Sequence, residues 1–484
     1  IDWDLVKSWV GQCYATHERY DCRPVELSLR DVCVIDCVSR SVVPLPRGCE
    51  YAALSYVWGI STTSDLPLLD NRLPSPAPQV VDDAMYCAQQ LGFLYLWVDR
   101  YCIDQNSESK HLLIQNMDRI YGCASITIVN ASGDSSYHGL PGVSNVPRKQ
   151  QQYITVNGSS IVRVRSCRKE IQQSKWASRG WTFQEGLLST RRLVFTPSQV
   201  YFQCRVWHCC ESISGVFNSS TDERREAVIS LASSQQALTV HRGFGQKMFE
   251  ELLSQYLRRQ LTFDTDILLA FLAVIKSCSF QHCWGAPVRV SYSNSSGNEL
   301  MQRLRWQPVG EIEANHLIRR EGIPSWSWAA WQGLKGLRLG DIFEYTSGGD
   351  YKEMNIAIEE ISGERRSISE YCSRFQPFLN IDGWITMIRF CPRNSPLRKD
   401  WNATTNLLVF EHTGRLIVGS AFVMNIILPE EPEWDGSQLL SGTWPVLVFF
   451  ETRHAFDAGT EAVNVRGLVL RPCKDSTYQR LGVL

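Results

Sequence analysis

The stretch LYLWVDRYCIDQ, residues 94–105, constrains the fold more than any other part of this chain. Its first five residues, Leu94 to Val98, are aliphatic or aromatic, which predicts a strand buried on both faces, as in a parallel sheet. Polar residues begin abruptly at Asp99, where such a strand would leave the core. In open α/β sheets ligands bind at this carboxyl edge. The sequence therefore predicts an α/β domain with a polar site beside Asp99.

The segments around this stretch predict alternating strands and helices. We expect strands at Ala52 to Trp58, Leu94 to Val98 and Ser125 to Val129. A helix from Val80 to Leu91 is expected between the first two strands, and a helix through Leu113 and Tyr121, capped by Asn106 or Ser107, between the last two. This β-α-β-α-β order implies a doubly wound parallel sheet with right-handed crossovers.

Weaker patterns predict the remaining elements. Upstream we expect a helix from Trp3 to Cys13 and strands at Val25 to Leu29 and Val32 to Val38. Downstream we expect an antiparallel pair within Ile154 to Val164, a helix from Trp176 to Leu188, and a strand pair at Arg192 to Thr196 and Gln199 to Cys204. Residues 221–276 have helical spacing, and strands are expected at Phe378 to Phe390, Asn406 to Phe410, Arg415 to Leu428, Pro445 to Glu451 and Gly467 to Leu470.

At 484 residues, the chain is long enough for two or three domains. The patterns divide it into an N-terminal helix with strands (1–50), an α/β domain (51–210), a mainly helical region (211–334) and a β-rich C-terminal domain (335–484).

Three separated motifs occur in order within the predicted α/β domain. They are YAALSYVWG at 51–59, WVDRYCIDQ at 97–105 and RGWTFQEGLLS at 179–189, with MDRIY at 117–121 between the last two. Together they resemble the signature blocks of the fungal heterokaryon-incompatibility (HET) domain. Weaker similarities are Trp9-x3-Cys13-x3-His17-x4-Cys22, LTFxxD from Leu261 and IPSWSW from Ile323. HET domains are similar to Toll/interleukin-1 receptor (TIR) domains, so the resemblance implies a TIR-like sheet.

Three carboxylates are candidates for catalysis: Asp99, Asp104 and Glu185. The two aspartates lie beside the expected crevice, where each is able to act as a general base or stabilise a developing cation. Alternatively, they cap the following helix. The aromatic surroundings of Glu185 favour a raised pKa suited to proton transfer, and the alternative is an ion pair with Arg179 or Arg191.

The candidate substrate-binding residues are those expected at the same edge: Ser55, Tyr56, Trp58, Arg100, Tyr101, Cys102 and Trp181. The rings of Tyr56 and Trp58 suit stacking on a flat ligand, although core packing is the slightly favoured explanation for them. A Cys102 thiolate would be nucleophilic only if a cation such as Arg100 lowered the thiol pKa. Between two carboxylates we expect that thiol to be neutral.

Several function classes lose support from the composition. A net charge of −1 gives no overall reason to bind nucleic acid or an anionic membrane, and no apolar run reaches the roughly 18 residues of a membrane span. The glycine-rich loops of dinucleotide and nucleotide triphosphate sites are missing from the sequence, so we expect no cofactor. The group Cys204, His208, Cys209 and Cys210 has poor zinc spacing, so we expect no metal. Seventeen cysteines without a framework spacing indicate a reducing, cytoplasmic location.

Three kinds of function remain open, and the sequence favours the first of them. The first is a cofactor-independent enzyme of fungal secondary metabolism, a cyclase or pericyclase that folds a hydrophobic small molecule, for example for a Diels–Alder cycloaddition. An aromatic pocket would suit it, and the chain has 16 tryptophans. The second, implied by the family resemblance, is an incompatibility or cell-death effector. Some TIR domains cleave NAD with a catalytic glutamate, so NAD is the substrate in this alternative. A non-catalytic recognition protein is the third possibility, and the sequence does not fix the oligomeric state.

Overall fold

A computed structural model gives the fold of the chain. It describes residues 1–17, 22–23, 25–29, 31–59, 67–104, 110–157, 159–163, 165–218, 246–278, 281–288, 306–309 and 317–339, and beyond residue 340 the backbone of the strands named below. The chain divides into two compact units. The first comprises Ile1–His241, Arg259–Leu261 and Leu269–Ser277, and the second comprises Arg242–Arg258, Thr262–Leu268 and Cys278–Leu484.

The helices are α1 (Trp3–Thr16), α2 (Gln79–Gln90), α3 (Asp99–Cys102), α4 (Lys110–Gln115), α5 (Met117–Cys123), α6 (Cys167–Gln172), α7 (Lys175–Ser178), α8 (Trp181–Leu188), α9 (Gln246–Tyr256) and α10 (Leu269–Lys276). The strands of the first unit are β1 (Cys33–Asp36), β2 (Ser41–Pro44), β3 (Tyr51–Ser55), β4 (Tyr95–Trp97), β5 (Ile126–Asn130), β6 (Tyr153–Val156), β7 (Ser159–Val162), β8 (Arg191–Phe195), β9 (Val200–Cys204), β10 (Trp207–Cys210) and β11 (Ile213–Asn218).

A nine-stranded sheet organises the first unit, with the strand order β11-β10-β9-β8-β5-β3-β4-β1-β2. The four central strands, β8, β5, β3 and β4, are parallel to one another. Antiparallel strands continue the sheet on both sides, from β1 next to β4 and from β9 next to β8. The α/β class expected from the sequence is confirmed. The strands that carry Ser55 and Trp97 are parallel neighbours, also as expected.

The central strands are buried because helices cover them. Every residue of β3, β5, β8 and β9 is buried, which explains their apolar sequences. On α2 the buried residues include Val80, Val81, Ala84 and Ala88, at the spacing of one helix face. Largely buried tryptophans occur in both units. Five tryptophans have at most 2% of their surface exposed: Trp97, Trp207, Trp306, Trp328 and Trp331. Core packing therefore accounts for much of the tryptophan content.

Some expected elements are wrong in detail. Residues 25–29 are described but form no strand, and Leu27 and Leu29 instead pack against the core beside the sheet. The single helix expected from Trp176 to Leu188 is two helices, α7 and α8. Its backbone breaks because the Gly180 N–H donates to the Gln260 carbonyl at 2.7 Å and the Gln260 N–H donates to Ser178 at 2.6 Å. The single helix expected through Leu113 and Tyr121 is likewise two helices, α4 and α5. Its expected caps, Asn106 and Ser107, lie outside the described residues.

The second unit contains α9, two 3₁₀ turns (Asp264–Ile267 and Trp328–Ala330) and short strands. The strands are β12 (Gln281–Cys283), β13 (Ala286–Val288), β14 (Gln307–Pro308), β15 (Leu317–Arg319), β16 (Trp331–Gln332), β17 (Leu337–Arg338), β18 (Asp350–Tyr351), β19 (Asn355–Ala357), β20 (Asn380–Asp382), β21 (Ile385–Phe390), β22 (Leu408–His412), β23 (Arg415–Gly419), β24 (Phe422–Val423), β25 (Ile426–Ile427), β26 (Thr443–Phe456), β27 (Thr460–Pro472) and β28 (Tyr478–Val483).

The division at residues 211–334 matches these elements only in part. The described residues there include two helices, α9 and α10, and also the strands β11 to β16. Residues 221–245, for which the sequence predicts helix, lie outside the described residues. Strands occur in each segment beyond residue 377 where the sequence predicts them, and the boundary at residue 335 stays a prediction. No helix among the described residues has the length and apolar character needed to cross a membrane.

Candidate active site at the carboxyl edge of the sheet

The carboxyl ends of β3 and β4 bring together several of the predicted site residues. Ser55 is the last residue of β3, and Asp99 begins α3 directly after β4. Glu185 belongs to α8, which packs against β3. The Ser55 hydroxyl donates a hydrogen bond of 2.5 Å to Oε2 of Glu185. The site therefore joins the first and last of the three sequence motifs.

Trp176 of α7 completes this contact. Its indole Nε1–H donates to the Ser55 hydroxyl at 2.7 Å, so Ser55 accepts from Trp176 and donates to Glu185. The ring lies so close to α8 that a Cβ on Gly186 would meet Cη2 of Trp176 at 2.8 Å. Only glycine fits at Gly186 without displacing the ring. The sequence thus fixes the orientation of the Ser55 hydroxyl.

Glu185 is buried, with 5% of its surface exposed. Burial, and after it the charge of Asp99, raise the pKa of the Glu185 carboxyl to about 7, against opposing contributions from the Ser55 hydrogen bond and the Arg179 cation. A carboxyl with a pKa near neutrality exists in both protonation states at physiological pH. It is therefore suited to accept and return a proton.

Asp99 lies in a different setting, at the partly exposed rim. The indole Nε1–H of Trp58 donates to both of its carboxylate oxygens, at 3.1 and 3.0 Å, and the Arg100 N–H donates to Oδ1 at 2.7 Å. Burial raises the pKa of Asp99 to about 6, while these hydrogen bonds and the Arg179 cation oppose the shift. The Arg100 guanidinium carbon lies 5.7 Å from the centroid of the Trp58 ring. Trp58 thus positions Asp99 and is itself covered by a cation.

The remaining predicted residues lie at different depths. Tyr56, Tyr101 and Cys102 are buried in the apolar core of the first unit. Trp181 is partly exposed and lies one turn before Glu185 on α8, so the two side chains share a helix face. Asp104 is exposed, beyond the end of α3. The structure therefore brings Ser55, Trp58, Asp99, Arg100 and Glu185 together, and it sets Asp104 apart.

Cys102 has the environment of a core thiol. Its Sγ accepts a hydrogen bond from the Val98 N–H at 3.3 Å and donates to the Leu96 carbonyl at 3.9 Å. Burial raises the pKa of Cys102 above that of an ordinary thiol. A neutral, buried thiol is a weak nucleophile, which agrees with the expectation from the sequence.

A cavity among the described residues lies at the opposite edge of the sheet. It has a volume of about 470 Å³ and is lined by residues that precede β3 and β4, including Cys49, Glu50, Phe93 and Leu94. No predicted site residue lines it. The polar cluster and this cavity are therefore separate features of the first unit.

Comparison with known protein families agrees with this placement of the motifs. Residues 51–185 match the model of the heterokaryon incompatibility protein (HET) family. The chain contains a HET domain. Comparisons with curated proteins and with solved structures gave no match. The matched residues begin at β3 and end at Glu185, so the HET match includes Ser55, Asp99 and Glu185.

Three further residues act at the HET site, of which the sequence analysis considered only Arg179, as an ion-pair partner of Glu185. Trp176 bonds Ser55, Arg179 lowers the pKa of both carboxyls, and Tyr121 forms a hydrogen bond that lowers the pKa of Glu185. Trp176 and Arg179 lie only nine and six residues before Glu185. Trp176 lies three residues before the third motif, Arg179 is its first residue and Tyr121 belongs to MDRIY, so the signal available in the sequence was membership of these motifs or proximity to them.

The raised pKa of Glu185 predicts a pH-dependent stability of the HET domain. Between its ordinary value of 4.5 and about 7, the folded protein holds a proton that the unfolded chain releases. The free energy of unfolding therefore falls as the pH rises through this window. From pH 5 to pH 8 we expect the wild type to lose roughly 2 to 3 kcal/mol more than Glu185→Gln. Denaturant unfolding at both pH values measures this, and equal losses in the two proteins would contradict it.

Proposed function

We propose that the HET domain cleaves the N-glycosidic bond between nicotinamide and ribose in NAD. One observation carries the proposal: a buried carboxyl with a pKa near neutrality, Glu185, is held by Ser55 at the carboxyl edge of a parallel sheet, beside a second carboxyl, Asp99. Paired carboxyls in unlike environments are the usual equipment for breaking glycosidic bonds. The positive charge of the oxidised nicotinamide ring makes it a good leaving group, so the reaction needs no acid to release it.

The proposed reaction is a hydrolysis. The bond from the ribose C1′ to the nicotinamide nitrogen breaks, and its electron pair goes to the nitrogen, which leaves as neutral nicotinamide. The ribose carbon develops positive charge, which the nearby carboxylates stabilise. Water adds to this carbon, and Glu185 in its ionised form accepts the proton that the water loses. Adenosine diphosphate ribose is the second product.

The partly exposed residues suit the binding of such a substrate. Trp58 and Trp181 present aromatic faces of the size of a nicotinamide or adenine ring, and Arg100 and Arg179 supply positive charge for a pyrophosphate. Glu185 itself is covered in the described form. We therefore propose that this form is closed, and that substrate binding or assembly into oligomers uncovers the Glu185 carboxyl.

The TIR-like, doubly wound character of the sheet belongs to the same proposal. Counted along the chain, the parallel strands lie in the spatial order second, first, third, fourth (β4-β3-β5-β8). This is the start of the flavodoxin-like doubly wound order, in which ligands bind where the strand order reverses. The order supports the family's implied role as an incompatibility or cell-death effector. A cytoplasmic location stays a prediction from the cysteine pattern.

A cyclase or pericyclase acting on a hydrophobic small molecule is the second candidate. The partly exposed rings of Trp58 and Trp181 favour it, because shape and orientation suffice for such a reaction. Against it, Tyr56 and Tyr101 are already packed into the core, and the residues at the rim are charged. We therefore rank NAD cleavage first.

Incubation of the purified full-length chain with NAD tests the ranking. We expect nicotinamide to be released, with a rate per chain that rises with protein concentration if oligomers form the active state. Glu170→Gln is a matched control, since Glu170 is a half-buried acid of α6 that accepts from Ser198 at 2.7 Å, and it should retain the rate. Absence of nicotinamide at every protein concentration, with binding of a polycyclic apolar ligand at Trp58 or Trp181, would favour the cyclase.

A further inference from the structure

A second polar cluster lies in the first unit, away from the carboxylates. It consists of Cys13, His17, Cys22 and Cys204, whose side-chain ligand atoms all lie within 4.8 Å of one another. Their exposed fractions are 0%, 8%, 1% and 0%, so the cluster is buried. Cys13 and His17 belong to the end of α1, Cys22 follows it, and Cys204 is the last residue of β9.

The separation of the Cys204 and His17 ligand atoms fits a tetrahedral ion. Zinc lies about 2.3 Å from a thiolate sulfur and about 2.0 Å from a histidine nitrogen, and tetrahedral angles then place the two ligand atoms about 3.5 Å apart. In the structure, Sγ of Cys204 lies 3.5 Å from Nδ1 of His17. Four ligand atoms that converge from three separate segments are unexpected for chance packing of thiols.

Hydrogen-bond donors are directed at two of the sulfur atoms in the cluster. The backbone N–H groups of Val206 and Trp207 both donate to Sγ of Cys204, each at 3.4 Å. The Arg191 Nε–H donates to Sγ of Cys13 at 3.2 Å. Donors directed at sulfur stabilise the charged form and hold it in place.

Arg191 balances the charge of such a site. Three thiolates and a neutral imidazole exceed the charge of a divalent ion by one negative charge. The Arg191 guanidinium, 1% exposed, lies against the cluster and also donates to the Ser125 carbonyl at 3.1 Å and to the Cys22 carbonyl. A buried arginine without a negative partner would be costly. With an ion bound, the buried group is neutral overall.

We propose that Cys13, His17, Cys22 and Cys204 bind one structural zinc ion. Four protein ligands leave no open position for a substrate, which is the pattern of a structural site and not of a catalytic one. The ion would join the end of α1 to the end of β9. The Trp9 ring of α1 already packs on Phe202 of β9, with centroids 6.4 Å apart, so zinc would fix a contact that apolar packing begins.

The proposal replaces the metal expectation drawn from the sequence. Of the group weighed there, Cys204 alone belongs to the cluster. Its partners are the residues of the N-terminal motif Trp9-x3-Cys13-x3-His17-x4-Cys22, more than 180 residues away. Spacing along the chain could not reveal a site whose fourth ligand comes from so distant a strand.

Metal analysis of the full-length chain, purified without chelators, tests the proposal. We expect about one zinc per chain. Protein reloaded with Co²⁺ should show the intense visible absorption and the sulfur-to-cobalt charge-transfer bands of tetrahedral thiolate coordination. Wild-type protein that holds no zinc and gives no such spectrum with Co²⁺ would overturn the proposal, as would a disulfide between any two of the three cysteines.

Variants assign the ligands. Cys204→Ser and His17→Ala should each lower the bound zinc at least about tenfold. Cys87→Ala is the matched control, because Cys87 is a fully buried cysteine of α2 outside the cluster, and it should keep a full complement of zinc. If a ligand variant does not fold, the Co²⁺ spectrum of the wild type still shows whether the chain binds a metal through thiolates. Nicotinamide release is not the readout, so this test is independent of the proposed NAD cleavage.

Discussion

Replacement of Glu185 by glutamine should lower the rate of nicotinamide release by at least about 100-fold. Glutamine preserves the size of the side chain and still accepts a hydrogen bond from Ser55, but it cannot take a proton from water. The loss should appear in kcat, because proton transfer belongs to the reaction and not to substrate binding. Steady-state assays of released nicotinamide at saturating NAD measure the effect.

The fold should survive this replacement. Glutamine carries no charge to bury, so at pH 8 the variant should unfold at the same denaturant concentration as the wild type or at a higher one. A folded Glu185→Gln protein that keeps the wild-type kcat would remove Glu185 from the chemistry. If the variant proves unfolded, Glu185→Asp separates the two roles: it keeps a carboxyl and displaces it, so a folded aspartate variant with a normal rate would contradict catalysis by this group.

Gly186→Ala should lower the free energy of unfolding by about 1 to 3 kcal/mol. A methyl group there would lie 2.8 Å from the Trp176 ring, which is 4% exposed and has little room to move. Displacement of the ring would also remove the indole donor from Ser55. The variant should therefore lose both stability, measured by denaturant unfolding, and enzymatic rate.

Gly122→Ala is the matched control for this substitution. Gly122 is also helical, in α5, but its added Cβ would meet only the Leu188 carbonyl, at an ordinary 3.7 Å. Alanine is preferred to glycine within helices by roughly 0.5 to 1 kcal/mol, so this variant should be slightly more stable than the wild type. Equal stabilisation by both substitutions would show that the ring at Gly186 moves without cost.

The sequence was sufficient to predict the placement of Ser55 and Asp99. Each follows an apolar run of the kind found in parallel strands, and the carboxyl ends of neighbouring parallel strands meet at one edge. Glu185 was selected because its aromatic neighbours favour a raised pKa. In the structure the side chain is buried, and burial raises its pKa. Asp104 was selected, like Asp99, because it follows the apolar run of β4. It lies on the surface, because the position of β4 in the sheet determines the placement of only the first residues that follow the strand.

Contacts between distant segments could not be predicted in this way. The break between α7 and α8 depends on backbone hydrogen bonds to Gln260, about eighty residues further along the chain. The meeting of Cys204 with Cys13 likewise depends on α1 packing over β9. Periodicity and spacing report local structure, and they contain no information on which remote segment supplies a partner.

The antiparallel flanks of the sheet determine how much of the chain can be isolated as a fragment. The family match covers residues 51–185 and thus includes β3, β4 and β5, whereas β8 begins only at Arg191. A fragment cut to the match would leave β4 without β1 and β5 without β8, with two apolar strand edges open to solvent. Such edges pair with other chains and aggregate. The smallest piece expected to remain monodisperse on expression therefore extends from α1 through α10, because Leu269–Ser277 belongs to the first unit and α10 packs against α8.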